Sequence, residues 1–296
     1  MLDAGPGVVN ELYPFASHFF EVPGGRLHYL DEGSGPPIVM LHGNPTWSFY
    51  YRDLVKDLRG RFRVIVPDHV GCGLSDKPGD DRYPYTLRRR VEDLEALLEH
   101  LGVIRDITMV VHDWGGMIGF AFATRHPERI RRLVVLNTAA FHLPKGKRFP
   151  WQLALVRNTP FGSLLVRGLN AFCLGTVRFG CTRSRLPEEV KRGYLAPYDS
   201  WDHRIAVLRF VQDIPLRPGD PGHDLVSEVE SNLGRLKDVP MLICWGERDF
   251  VFDGEFLGEW ERRFPAAKVH RFADAGHLVL EDAASEVRPL ICQFVG

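Results

Sequence analysis

Val110-Val111-His112-Asp113-Trp114-Gly115-Gly116 is the stretch on which the chain turns. An apolar run, Ile107 to Val111, leads into it, and Met117 to Ala123, apolar and small, leads out with helical character. A strand that bends sharply into a helix and carries a reactive side chain at the corner is a nucleophile elbow. The corner residue here is an aspartate, Asp113, where serine is the common choice. The rest of the chain is expected to aim, cover and reset that carboxylate.

Outward from the elbow, the pattern is one of strand and helix in alternation. Phe19 to Val22 and Arg26 to Leu30 flank Pro23-Gly24-Gly25 and read as a hairpin. Ile38 to Leu41 and Arg63 to Val66 are short apolar runs of the kind buried parallel strands use. Tyr50 to Leu58 and Thr86 to Leu101 carry a helical period, and Leu133 to Leu136 is a further strand. The alternation stops from about 142 to 222, where four helical pieces are predicted: Trp151–Asn158, Phe161–Cys173, Pro187–Tyr194 and Ser200–Val211. The sheet pattern then resumes with Met241 to Trp245 and Lys268 to Phe272, followed by a helix from Glu281 to Phe294. Residues 1–18 read as an irregular surface arm. This order predicts the α/β-hydrolase fold: a doubly wound, mostly parallel sheet with an inserted helical cap. The expected division is a core domain of 1–141 and 223–296, with 142–222 as a lid on the C-terminal edge of the sheet.

Composition excludes several other classes. With 296 residues, 45% hydrophobic and 25% charged, the chain suits one large globular catalytic domain with an insertion. A net charge of −1 gives no general attraction for nucleic acid. No run approaches the roughly 18 apolar residues of a membrane span, and no secretory leader is expected from the first residues. Cys72, Cys173, Cys181, Cys244 and Cys292 are scattered and form no CxxC pair, so neither a disulfide framework nor a metal site is expected. A cytoplasmic location is the simplest reading. The segment 142–222 stands apart, with 13 Lys and Arg against 6 Asp and Glu, a net of +7 that leaves −8 for the remainder. That asymmetry reads either as solvated helix faces or as a lid that docks an acidic partner or an anionic lipid surface.

A catalytic triad needs a nucleophile, an acid and a histidine, in that chain order on this fold. Asp113, Asp249 in Trp245-Gly246-Glu247-Arg248-Asp249, and His277 in Ala275-Gly276-His277 fit, each following a predicted strand. Glu247 and Asp253 compete with Asp249 for the acid, and Asp113 could simply cap the helix that begins at Trp114. Asn137 ends the strand Leu133–Leu136 as an amide, which leaves the acid to the Asp249 loop. A carboxylate nucleophile needs no deprotonation and suits displacement at saturated carbon or attack on a strained ring, giving an ester. His277, held by Asp249, would then activate a water. The Trp114 indole N–H and the Asn44 amide, in His42-Gly43-Asn44-Pro45, supply two neutral donors for a leaving anion.

Together, His42-Gly43-Asn44-Pro45-Thr46-Trp47, His112-Asp113-Trp114-Gly115-Gly116 and the late Asp249 and His277 resemble the haloalkane dehalogenases over nearly the whole chain. The resemblance implies Asp113 as nucleophile, His277 as base, Asp249 as acid, and Asn44 with Trp114 as the anion-binding pair. The runs Leu12–Phe15, Pro67–Pro78, Leu136–Pro144 and Arg209–Leu216 are similar to a closer group, the β-lactone decarboxylases of bacterial long-chain olefin biosynthesis. Membership there implies conversion of a cis-3,4-dialkyl-β-lactone to a cis-alkene and CO2. It also implies a small hydrophobic substrate, no cofactor, and association with a ligase and a reductase. Asp113 would open the ring at either the carbonyl or the ring carbon, with His277 and water restoring the enzyme. A haloalkane dehalogenase is the alternative. An epoxide hydrolase using Tyr194 and Tyr198, or a binding protein without activity, fits less well.

Overall fold

The computed structural model describes residues 11–296, so the first ten residues of the expected arm lie outside it. The part that is described is mostly exposed, at Glu11, Pro14 and Ala16 to His18, as expected of a surface arm, and one side chain anchors it. Tyr13 is buried, hydrogen bonded to Ser48 at 2.5 Å and packed on Trp47 at 5.0 Å.

Eight strands form one sheet: β1 (His18–Val22), β2 (Gly25–Glu32), β3 (Pro37–Leu41), β4 (Arg63–Pro67), β5 (Ile107–Asp113), β6 (Ile130–Thr138), β7 (Met241–Gly246) and β8 (Lys268–Phe272). Their order is β1-β2-β4-β3-β5-β6-β7-β8. β1 and β2 run antiparallel to their neighbours, and every other pairing is parallel. The central strands are apolar on both faces because both are covered. Val39, Leu41, Met109 and Val111 face one apolar cluster, and Ile38, Met40 and Val110 face the other.

The first cluster is roofed by α2 (Leu87–His100) and α3 (Trp114–Arg125), and the second by α1 (Arg52–Leu58). α2 starts where Thr86 accepts a hydrogen bond from the Arg89 N–H, an ordinary N-cap. In the 142–222 segment the helices are α4 (Trp151–Asn158), α5 (Phe161–Ser163, continuing as a π-turn over Leu164–Gly168), α6 (Ala171–Phe179), α7 (Glu188–Leu195) and α8 (Ile205–Gln212). The single helix expected over 161–173 is broken. Asn170 takes the left-handed conformation, φ 53°, and its amide donates to the Tyr198 carbonyl at 3.3 Å. Asparagine tolerates that conformation better than most residues.

Two helices were not anticipated from the pattern. α9 (His223–Asn232) packs on α3, and α10 (Gly254–Arg263) buries Phe256, Leu257 and Trp260 under β6 and β7. The final stretch is split into α11 (Val279–Asp282) and α12 (Ala284–Val295). Among the described residues no helix is long and apolar enough to cross a membrane, and no cysteine is paired.

Candidate active site

The elbow geometry follows from crowding. Asp113 sits at φ 50°, ψ −127°, between β5 and α3, a backbone state that side chains rarely adopt. The neighbours pack closely against it. A Cβ on Gly43 would lie 2.3 Å from the Asp113 Cβ, and one on Gly116 would lie 1.8 Å from the Thr138 hydroxyl oxygen. Glycine at both positions lets β3, β6 and the elbow close on one another. The Thr138 hydroxyl donates to the Asp113 carbonyl and ties the corner to β6.

Asp113 does not serve as a helix cap, since its side chain accepts nothing from the first turn of α3. Its Oδ2 instead accepts the Asn44 backbone N–H at 3.3 Å and faces His277 Nε2 at 3.5 Å. His277 Nδ1 meets Asp249 Oδ2 at 2.7 Å. The three residues named from sequence are therefore brought together in a line, Asp113, His277, Asp249. The two rival acids point elsewhere: Glu247 pairs with Arg271 at 3.1 Å and Asp253 pairs with Lys147.

Asp249 is buried, and three donors converge on its two oxygens. Oδ1 accepts the Val251 N–H at 2.8 Å, while Oδ2 takes His277 and, at 3.2 Å, the Asn137 amide. Asn137 is itself fixed across β6 and β7, donating to the Gly246 carbonyl at 2.9 Å and accepting the Gly246 N–H at 2.8 Å. Sequence reasoning used Asn137 only as the acid that was missing. Its amide braces the acid that is present.

His277 carries the largest electrostatic consequence. Burial works against its charged form, but the Asp249 charge and hydrogen bonds to Asp113 and Asp249 outweigh this and hold it at about 10. The imidazole is thus an imidazolium at neutral pH, donating to both carboxylates. Beneath it lies His112, missed in the sequence, with ring centroids 4.6 Å apart. Burial and the His277 charge push His112 well below its ordinary value, so it is neutral. Its Nε2 donates to the His277 carbonyl at 2.9 Å, which fixes the tautomer.

The loop bearing Asn44 is held by a second buried network. His42 Nδ1 donates to the Gly43 carbonyl at 2.7 Å, and its Nε2 accepts the His69 N–H at 3.0 Å. Asp68 accepts the Ser48 N–H at 2.6 Å, the Leu74 N–H at 2.9 Å and His28 Nδ1 at 2.8 Å. Burial would raise the Asp68 carboxyl, yet the His28 hydrogen bond and charge bring it down to about 2.

Asn44, after β3, and Trp114, at the start of α3, both lean on α8. The Asn44 amide donates one N–H to the Val207 carbonyl at 3.1 Å, leaving one N–H, while its Oδ1 has no partner among the described residues. The Trp114 ring lies 5.3 Å from Phe210, which stacks under Arg90, itself 3.1 Å from Asp213. Asn44, Asp113, Trp114 and His277 border one cavity of about 610 Å³, walled by apolar side chains such as Met117, Phe141, Leu153, Phe172 and Val211. That size lies within the range of about 300–1,000 Å³ that small-ligand sites occupy. Chemically, this is a carboxylate beside an imidazolium, bordering an apolar chamber. Among the described residues no group of His, Cys, Asp and Glu is arranged to hold a metal ion.

The chain belongs to the α/β-hydrolase family, whose alpha/beta hydrolase fold matches it over residues 36–284. Within that family it is 54% identical to a cis-3-alkyl-4-alkyloxetan-2-one decarboxylase of Shewanella oneidensis, over 97% of this chain and 91% of that protein. It is 48% identical to a protein of the same description from Xanthomonas campestris, over 96% and 97% of the two chains. A haloalkane dehalogenase of Mycobacterium marinum is 35% identical over 95% and 94%. In three dimensions it is similar to a haloalkane dehalogenase of Agrobacterium tumefaciens, with a TM-score of 0.83, 25% identity, and coverage of 95% and 96%.

Proposed function

We propose that this chain is a cis-3-alkyl-4-alkyloxetan-2-one decarboxylase, acting on the β-lactone ring through Asp113. The observation that carries this is the full-length identity of 54% and 48% to two proteins of that description, against 35% to the Mycobacterium marinum dehalogenase. The site residues are compatible with either chemistry.

Stereochemistry selects the point of attack. The Asp113 carboxylate displaces the ring oxygen at C4, forming an Asp113–C4 ester with inversion. The C4–O bond breaks, and its oxygen becomes part of a free carboxylate on C3. That carboxylate now lies anti to the Asp113 ester. Loss of CO2 places the C3 electron pair in the C3=C4 bond as the ester C–O bond breaks. Asp113 returns as a carboxylate, and inversion followed by anti loss turns a cis ring into a cis-alkene. Attack on the carbonyl would instead give a mixed anhydride and a C4 alkoxide, with no direct exit for CO2. The remaining Asn44 N–H and the Trp114 indole would hold the new carboxylate, and the His277 imidazolium would offset its charge. On this route no water is consumed, so His277 acts through its charge; the role of base belongs to the dehalogenase reaction.

The test pairs two substrates and labelled water. With a cis-dialkyl oxetanone, gas chromatography should find the cis-alkene, and Asp113 should gain no heavy oxygen over many turnovers. With a short bromoalkane, bromide release and labelled Asp113 would mark the dehalogenase reaction, in which His277 activates water against the ester. Bromide without alkene overturns the proposal. The reading extends to a complex with the ligase and reductase that make the lactone, in a reducing cytoplasm. Co-elution of the purified proteins tests that extension, and separate elution counts against it.

A further inference from the structure

From His142 to Pro187 there are 46 residues, eight of them Lys or Arg and none Asp or Glu. Four of the eight are neutralised from elsewhere in the chain: Lys147 by Asp253, Arg157 by Asp220, Arg167 by Asp202, and Arg183 by Asp274 and Glu286. The other four, Lys145, Arg148, Arg178 and Arg185, are exposed and form no ion pair among the described residues. A merely solvated helix face mixes both signs of charge. This one does not.

The same stretch carries seven of the twelve large apolar side chains that stand exposed among the described residues, including Trp151 at 71%, Phe179 at 64% and Phe161 at 63%. Their distribution has a direction. Trp151, Leu155 and Phe179 border the cavity that holds Asp113, and so does Phe250, 57% exposed, from the loop after β7. The exposed apolar surface is therefore continuous with the chamber wall. The Arg178 guanidinium lies 5.2 Å from the Phe179 ring, so charge and aromatic surface meet at that opening.

Aromatic and aliphatic side chains interspersed with unpaired cations are what an interfacial membrane-binding surface requires. We propose that the rim of the cavity, carried by α4, α5 and α6, docks on an anionic lipid bilayer. An apolar ligand dissolved in that bilayer then enters the chamber without crossing water. A protein could also cover such a patch. Lipid is favoured because the covering surface must present apolar material at the opening itself, and the unpaired charges match anionic headgroups. This inference does not depend on the decarboxylase reading.

Flotation of the full chain with vesicles tests it. The protein should rise with phosphatidylcholine–phosphatidylglycerol vesicles and stay down with phosphatidylcholine alone. Raising salt from about 0.05 M to about 0.5 M should release it. Arg178→Glu with Arg185→Glu should lower the bound fraction at least about tenfold, and Phe161→Ser with Leu174→Ser should do the same. All four side chains are exposed and outside the cavity wall, so thermal melting and turnover of a short, water-soluble substrate should not change. Equal binding to neutral and anionic vesicles, or binding untouched by these changes, overturns the proposal. So does a wild type that fails to float, including one whose Phe161 face instead mediates self-association or binding to a purified protein. Because no substrate is present, flotation can fail while alkene formation stands, and the reverse.

Discussion

The C-terminal edge of the sheet and the helical cap above it are built on opposite terms. At the edge, carboxylates and imidazoles are tied to fixed partners: Asp249 has three donors, His42 and His69 exchange hydrogen bonds, and Asp68 holds three more. On the outer cap, cations stand unpaired and aromatic rings face outward. One region fixes a reacting geometry, where a shift of an ångström is costly. The other presents a surface that can meet something adaptable. The largest effect should thus follow from touching the edge. Asp113→Ala should lower kcat by at least about 10⁴, with thermal melting close to wild type. Alkene formation that survives this change would move the reacting centre elsewhere.

Next in size is Gly43→Ala. Its new methyl would sit 2.3 Å from the Asp113 Cβ, and no flexible side-chain tip is available to yield. Overpacking of this kind costs about 1–3 kcal/mol. Because the displaced atom belongs to Asp113, the proposed nucleophile, turnover should fall about a hundredfold. A melting temperature and kcat both near wild type would show that the elbow is less crowded than its geometry states.

The same contrast explains what could be read in the sequence. The buried parallel strands are short apolar runs, and the antiparallel pair alternates around Pro23-Gly24-Gly25, so the strands were legible, as was the elbow, because glycine spacing around Asp113 reflects backbone crowding. Asp249 and His277 followed from their places after strands. Features set by tertiary contact were not legible. The Asn170 break depends on the Tyr198 carbonyl, and the tie from Asn44 to Val207 crosses 163 residues. α9 has only Leu225, Val226 and Val229 buried, too few to announce a helix against polar neighbours. α10 did carry a signal, an Asp253 cap and a Phe256–Leu257–Trp260 stripe, that could have been used. Asn137 gave none, since an amide at a strand end does not declare its partners.

Asn137→Ala sharpens the comparison at the next level. It removes the brace from Asp249 and leaves Gly246 without its side-chain partners, at a cost of about 1–3 kcal/mol. A purely structural role would lower the melting temperature alone. A positioning role should also lower kcat about tenfold, leave KM nearly unchanged, and shift the pH profile of turnover. Asn137→Asp is uninformative for this purpose, because a second carboxylate would enter the triad.

His277 gives a pH test of the edge. Its value in the folded chain, about 10, lies above its ordinary 6.5, so the folded state binds the proton more tightly. The stability this supplies is complete below pH 6.5 and disappears as pH rises through 10. Asp113→Asn removes one of the two carboxylates and should lower the value. Nitrogen NMR of the imidazole should then show deprotonation beginning at lower pH, and alkaline unfolding should start earlier. An unchanged titration in Asp113→Asn would mean that Asp249 alone holds the charge.

The smallest effect belongs to the cap, and it is of opposite sign. Gly175 lies inside α6, and a Cβ added there would meet nothing within 4 Å. Alanine restricts the unfolded chain and suits a helix, so Gly175→Ala should stabilise the protein by about 0.4–1 kcal/mol. A glycine at the edge is demanded by its neighbours, while this one is not. Chemical denaturation resolves a difference of that size. Destabilisation instead would mean that α6 is packed more tightly than its open surroundings indicate, and the contrast between edge and cap would need to be redrawn at that helix.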